Sequence, residues 1–114
     1  MADKEFKGVN SRQYYRVTYP EKERPWFKTE DYELQVMDIS EKGGKFLNDE
    51  GIKIDPGSRI TGTITFHNGE TVVVIGDVLR EFYDQVIICF TKGIPFSTMI
   101  KEQRYLKERY KHLF

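Results

Sequence analysis

Cysteine is almost absent from this chain of 114 residues: Cys89 is the single thiol, so no internal disulfide can form and a reducing compartment suits it. A charge excess of either sign is also missing. Eighteen basic and eighteen acidic side chains cancel, so no overall positive field marks a nucleic-acid-binding protein. Any anion must instead be drawn by a local cluster of charge. Long apolar runs are lacking too. The first six residues carry no apolar core of a secretory leader, and no later stretch is long enough to span a bilayer. The expectation is a cytoplasmic protein without membrane insertion. Histidine is scarce: His67 and His112 stand apart from any Cys or His at ligand spacing, so both read as surface histidines and no metal site is expected. No Gly-x-Ser-x-Gly, no Walker loop and no Cys–His pair assignable to nucleophilic catalysis occurs, so the chain does not read as an enzyme.

What is present suits one domain with a modest core. Residues 1–11 are polar and aperiodic and read as a flexible N-terminal arm, leaving 12–114 as the domain. Residues 12–19 are rich in aromatic and β-branched types and read as extended up to Pro20. A short edge strand is expected over 24–28, and the alternation of Tyr32, Leu34 and Val36 with Glu33 and Gln35 predicts a half-buried strand over 32–39. Trp26 and Phe27 fit either a docking patch or burial under a barrel rim.

Gly43 and Gly44 turn the chain into a strand over 45–47, and Asp55, Pro56 and Gly57 make the next turn. Strands over 59–66 and 71–82 flank Asn68-Gly69, which predicts a type I′ hairpin. The Val72-to-Ile75 run suggests cover on both faces, and Gly76 marks a bulge, a bend or a ligand's close approach. Tyr83 and Asp84 then lead into a sixth strand over 85–90. From Pro95 the period changes: Phe96, Met99, Ile100, Leu106, Tyr110 and Leu113 follow helical spacing, with Ser97 as the expected N-cap. The basic face of Lys101, Arg104, Lys107 and Lys111 reads as solvated, with a partner or anionic contact as the alternative. The fold class is therefore mainly β: six antiparallel strands closing into a small barrel, which removes exposed edges, followed by one C-terminal α-helix.

Two short constellations carry the chemistry. Arg12 and Arg16 set two guanidinium forks four residues apart, suited to the O6/N7 edge of guanine and to phosphate oxygens. Asp38, Ser40 and Gly43 set a carboxylate, a hydroxyl and a glycine on a strand that runs into a tight turn. A carboxylate accepts from the guanine N1–H and amino group, and glycine lets backbone approach a ligand. Each signal alone has a plain explanation: a pair of surface charges, or an Asx-type turn. Together they describe a pocket for a ligand bearing guanine and phosphate.

With Arg12 and Arg16 followed by Asp38, Ser40 and Gly43, the sequence resembles the PilZ domain family, marked by Arg-x-x-x-Arg and then Asp/Asn-x-Ser-x-x-Gly. The likeness spans nearly the whole chain, including Glu23-Arg24-Pro25, the strand from Gly76 to Arg80, Ile94-Pro95 and the stretch from Gln103 to Leu106. It implies a PilZ-type barrel that is a bacterial receptor for cyclic di-GMP, with no other cofactor, acting in motility or biofilm signalling. Carried over, Arg12 and Arg16 form a clamp for bases and phosphates, Asp38 takes a guanine edge, Ser40 supports a base or phosphate, and Gly43 leaves room. The arm would fold over the barrel on binding and present a new surface to an effector protein. Many members carry a tryptophan near the end of the fifth strand. Here Arg80 stands near that place, and it either stacks on a base or is a surface arginine paired with Glu81 or Asp84. The resemblance also implies that Ser11, just before the first motif arginine, bears on whether one or two ligand molecules bind. The rivals are a PilZ-like adaptor of pilus or motility machinery that binds no nucleotide, and a small barrel that binds RNA through Tyr14, Tyr15 and Trp26. Zero net charge argues against the latter. The expected state is a monomer or a homodimer.

Overall fold

The structure, a computed structural model, describes residues 15–111. Seven strands and a helix follow one another: β1 (Arg16–Thr18), β2 (Trp26–Lys28), β3 (Glu33–Ser40), β4 (Gly43–Leu47), β5 (Arg59–Thr65), β6 (Thr71–Phe82), β7 (Gln85–Lys92) and α1 (Phe96–Arg109), with a 3₁₀ turn at Glu21–Glu23. Strands β2 to β7 form the expected closed barrel of six antiparallel strands, running round as β3, β2, β5, β6, β7 and β4, with β4 pairing back onto β3. The short β1 lies outside that ring. It pairs with the far half of β3, Arg16 opposite Ser40 and Thr18 opposite Asp38, whereas β2 takes the near half. A register shift between Val36 and Asp38 separates the two halves, and the Met37 carbonyl there accepts the Tyr19 N–H at 3.0 Å.

Alternation explains the core. Leu34, Val36 and Ile39 of β3, Phe46 of β4, Ile64 of β5, Val74 of β6 and Ile88 of β7 are all buried around Phe27. The Phe27 and Phe46 rings meet at 5.1 Å between centroids, within the range of favourable aromatic pairs. Each such side chain contributes about 1.5–3 kcal/mol relative to remaining exposed. A Cβ at Gly62 would lie only 2.6 Å from the Phe27 ring, so a side chain there would displace the central aromatic. Helix α1 closes one side of the assembly with Met99 and Leu106 buried.

Several local expectations are corrected. Asn68-Gly69 does not form a type I′ turn. Only Gly69 has positive φ (89°), its N–H donates to the Phe66 carbonyl, and Phe66 N–H donates to Glu70, giving a three-residue loop with glycine at the left-handed position. The Val72-to-Ile75 run is covered on one face only, since Val74 is buried while Val73 is 42% exposed. Trp26 and Phe27 are split by the strand's alternation: Phe27 points inward and Trp26 is exposed. Pro95, not Ser97, occupies the N-cap, and its carbonyl accepts the Thr98 and Met99 N–H groups. Phe96, expected on the apolar face, is exposed beside Tyr15. Gly76 does mark a bulge, with a shift of register next to Ile75.

Candidate functional site

Residues directly opposite one another in a sheet share a face, so the register alone assembles a site on the outer wall of the barrel. One row runs Arg16, Ser40, Gly43 and Cys89 across β1, β3, β4 and β7. The adjacent row runs Asp38, Lys45 and Ile87, and Ile87 faces Arg80 on β6. Together they floor a cavity of about 420 Å³, lined also by Lys42, Gly44 and Leu79. Four of the sequence-derived residues, Arg16, Asp38, Ser40 and Gly43, thus come together around one hollow. Arg12 and Ser11 lie outside the described residues.

Each of the four has a definite local role. Arg16 Nη1 donates to Asp38 Oδ1 at 2.8 Å, while the buried Arg16 Nε has no hydrogen-bond partner among the described residues. Lys45 Nζ stands 3.9 Å from the other Asp38 oxygen. Arg16 is therefore held in a strand and not in a free arm. Ser40 Oγ donates to the Gly43 carbonyl and accepts from the Lys42 N–H, closing its own hairpin turn. Gly43 is required by packing: a Cβ there would lie 2.8 Å from the Ile88 carbonyl oxygen of β7. The turn is pinned further by Phe90 N–H donating to the Lys42 carbonyl and Ile94 N–H to the Glu41 carbonyl. The motif turn is thus tied to the segment that enters α1.

Arg80 sits one residue along from the cavity wall. A bulge between Val78 and Arg80 places both Leu79 and Arg80 on the exposed side, and it is Leu79, 59% exposed, that lines the hollow. Lys42, Lys45, Leu79 and Cys89 were not singled out as site residues by sequence. Lysines 42 and 45 flank the glycine pair, so their proximity to the motif was the available signal. Leu79 carried none, because its outward turn depends on the bulge.

A second polar cluster lies where α1 meets the barrel, and it corrects the surface reading of His67. Glu102 of α1, only 1% exposed, accepts from Tyr19 OH at 2.5 Å and from the His67 N–H at 3.0 Å, and His67 Nδ1 lies 2.9 Å from it. His67 Nε2 faces Glu23 at 3.4 Å, and its ring stacks on Tyr105 at 4.2 Å. Glu23 also accepts from Tyr105 OH, Arg109 Nε and Tyr110 OH. The Tyr110 hydroxyl leads in holding the Glu23 carboxyl below its ordinary pKa, aided by Arg109 and Tyr105 and opposed by burial. Burial and the neighbouring Glu102 push the Tyr19 phenol far up. No cluster of three or more His, Cys, Asp or Glu side chains fit to hold a metal ion occurs among the described residues.

Residues 10–108 match the PilZ domain. The chain belongs to the PilZ domain family. PilZ domains are receptor or adaptor domains. Solved structures agree on the fold. The Bacillus subtilis inhibitor of motility MotI/DgrA superposes with a TM-score of 0.67 at 13% identity, covering 90% of this chain and 52% of that one. An uncharacterized Legionella protein gives 0.54 at 16% identity over 87% of this chain and 97% of its own. Escherichia coli YcgR in complex with c-di-GMP gives 0.54 at 16% identity over 91% and 48%. The PilZ chain thus spans about half the length of MotI/DgrA and of YcgR. No curated protein matches it by sequence. No described helix of this PilZ domain is long and apolar enough to cross a membrane.

Proposed function

We propose that this PilZ domain is a receptor for cyclic di-GMP, with Arg12 and Arg16 as the clamp, Asp38 as the acceptor for a guanine edge, and Ser40 and Gly43 shaping the turn beneath the ligand. The observation that carries this reading is the convergence of Arg16, Asp38, Ser40 and Gly43 on one open cavity rimmed by lysines. Arg16 lines the cavity with its side chain 31% exposed, so its guanidinium can donate to an acceptor of the ligand there, and an exposed Leu79 supplies an apolar wall for a purine face. The matched YcgR structure contains c-di-GMP, which supports the ligand class.

The N-terminal arm, residues 1–11 leading into Arg12, would settle over the ligand, with β1 as its fixed end. The differential contact of arm and ligand is what an effector protein would read. Arg80, outside the cavity lining, would contribute only through a ligand that extends beyond Leu79. On this reading it is a cytoplasmic signalling protein of motility or biofilm control that acts, as monomer or homodimer, on an effector protein.

A second reading, the adaptor that binds no nucleotide, is favoured by one observation: Asp38 and Ser40 already have partners within the chain. Isothermal titration with cyclic di-GMP, beside Arg16→Ala and with excess GTP as competitor, separates the two. Heat that GTP leaves unchanged and Arg16→Ala abolishes supports the receptor. Absence of heat from the unaltered protein supports the adaptor.

A further inference from the structure

The cavity carries more positive charge than the two motifs supply. Arg16 and Asp38 neutralise one another across 2.8 Å, which leaves Lys42 and Lys45 as its two remaining charged lining residues. The two differ in placement. Lys42 lies in the exposed turn, whereas Lys45 rises from the floor on β4, between Asp38 on one neighbouring strand and Ile87 on the other. Its ammonium is 3.9 Å from Asp38 Oδ2, near enough for attraction but too far for a direct hydrogen bond. Its side chain is 39% exposed, so the donors open toward the hollow at modest desolvation cost.

We propose that Lys45 is a ligand-contacting residue of this cavity, donating to a phosphate of a bound cyclic dinucleotide. The inference rests on the receptor reading above and adds to it a site for anionic charge. Attraction to Asp38 keeps the ammonium near the floor without occupying its donors, which leaves them for a phosphate. The same arrangement divides the labour: the carboxylate faces a guanine edge, and the cation beside it faces the backbone of the ligand. Coulomb attraction between partly exposed charges is screened by salt, which supplies a signature that packing alone lacks.

Isothermal titration of the full chain with cyclic di-GMP tests this, using Lys45→Met, Lys45→Arg and Lys42→Ala, at NaCl concentrations from about 50 mM to about 500 mM. Lys45→Met is expected to weaken binding by about 10- to 100-fold, as loss of a charge-assisted hydrogen bond does. It should also flatten the salt dependence, while Lys45→Arg retains most of the affinity and Lys42→Ala has the smaller effect. Thermal unfolding of each variant confirms that the barrel stays intact. Binding by Lys45→Met within about twofold of the unaltered protein, with the same salt dependence, overturns this inference and leaves the receptor standing. Absence of heat from the unaltered protein overturns both.

Discussion

Two polar clusters sit at different places on this barrel, and they differ in how completely their charges are matched. At the junction with α1, Glu102 and Glu23 are buried and are met by Tyr19, His67, Tyr105, Tyr110 and Arg109. Every participant there faces another. Around the cavity, one carboxylate is shared by Arg16 and Lys45, and Lys42 is exposed. A closed network fixes a helix, because a buried carboxylate must be satisfied within the fold. An open, cation-rich one leaves donors for something that arrives. Polar side chains alone do not distinguish a site from a brace; the excess of accessible cations over carboxylates does.

The comparison breaks most sharply at Glu102. Glu102→Ala strips Tyr19 OH and His67 of their buried acceptor and leaves a void beneath α1. A loss of about 3–5 kcal/mol in unfolding free energy is expected by denaturant titration, with no direct contact to the cavity removed. A variant as stable as the parent would show that the network is not a brace. Arg16→Ala should behave in the opposite way. It removes a bidentate donor, so cyclic di-GMP affinity is expected to fall by about 100-fold or more. Stability should change by less than about 1 kcal/mol, because Arg16 is partly exposed and Lys45 remains near Asp38.

Gly43→Ala joins the two effects. Its Cβ would press on the Ile88 carbonyl, costing about 1–3 kcal/mol and shifting β4 within the cavity floor. Unfolding and ligand titration on the same sample check both parts. The smallest effect concerns pH. Because the Glu23 carboxyl is held below its ordinary value, chiefly by Tyr110, its ionised form stabilises the fold at pH above that of an unperturbed glutamate, about 4.3. That contribution is lost as pH falls through the folded value. Glu23→Gln should therefore lessen the fall in melting temperature on acidification below pH of about 5. An unchanged profile would place the acid sensitivity elsewhere.

Much of the architecture was legible locally. Leu34 and Val36 alternate with polar neighbours, Gly57 and Gly69 both take the positive φ expected of turn glycines, and helical spacing recurs in Met99 and Leu106. The motif residues were legible as a conjunction, and register brings four of them to one wall. His67 misled because its partners lie far away: Glu102 is 35 residues on, and Glu23 stands on a different turn. Arg80 was ambiguous and Leu79 gave no signal, because a bulge between Val78 and Arg80 resets which side chain faces the hollow. Alternation counted along one strand cannot see such a shift.

By itself, then, the sequence determined the number and approximate span of the barrel strands, the terminal helix and the family motifs. Those features depend on period, turn chemistry and residue type within a few positions of each other. Only the tertiary structure decided that Lys45 stands beside Asp38, that Leu79 lines the cavity, and that two glutamates from distant segments converge on one histidine. Closure of the ring sets which strands are neighbours, and the bulges set the register between them. Neighbourhood across a sheet is a property of that closure and not of any local stretch of chain.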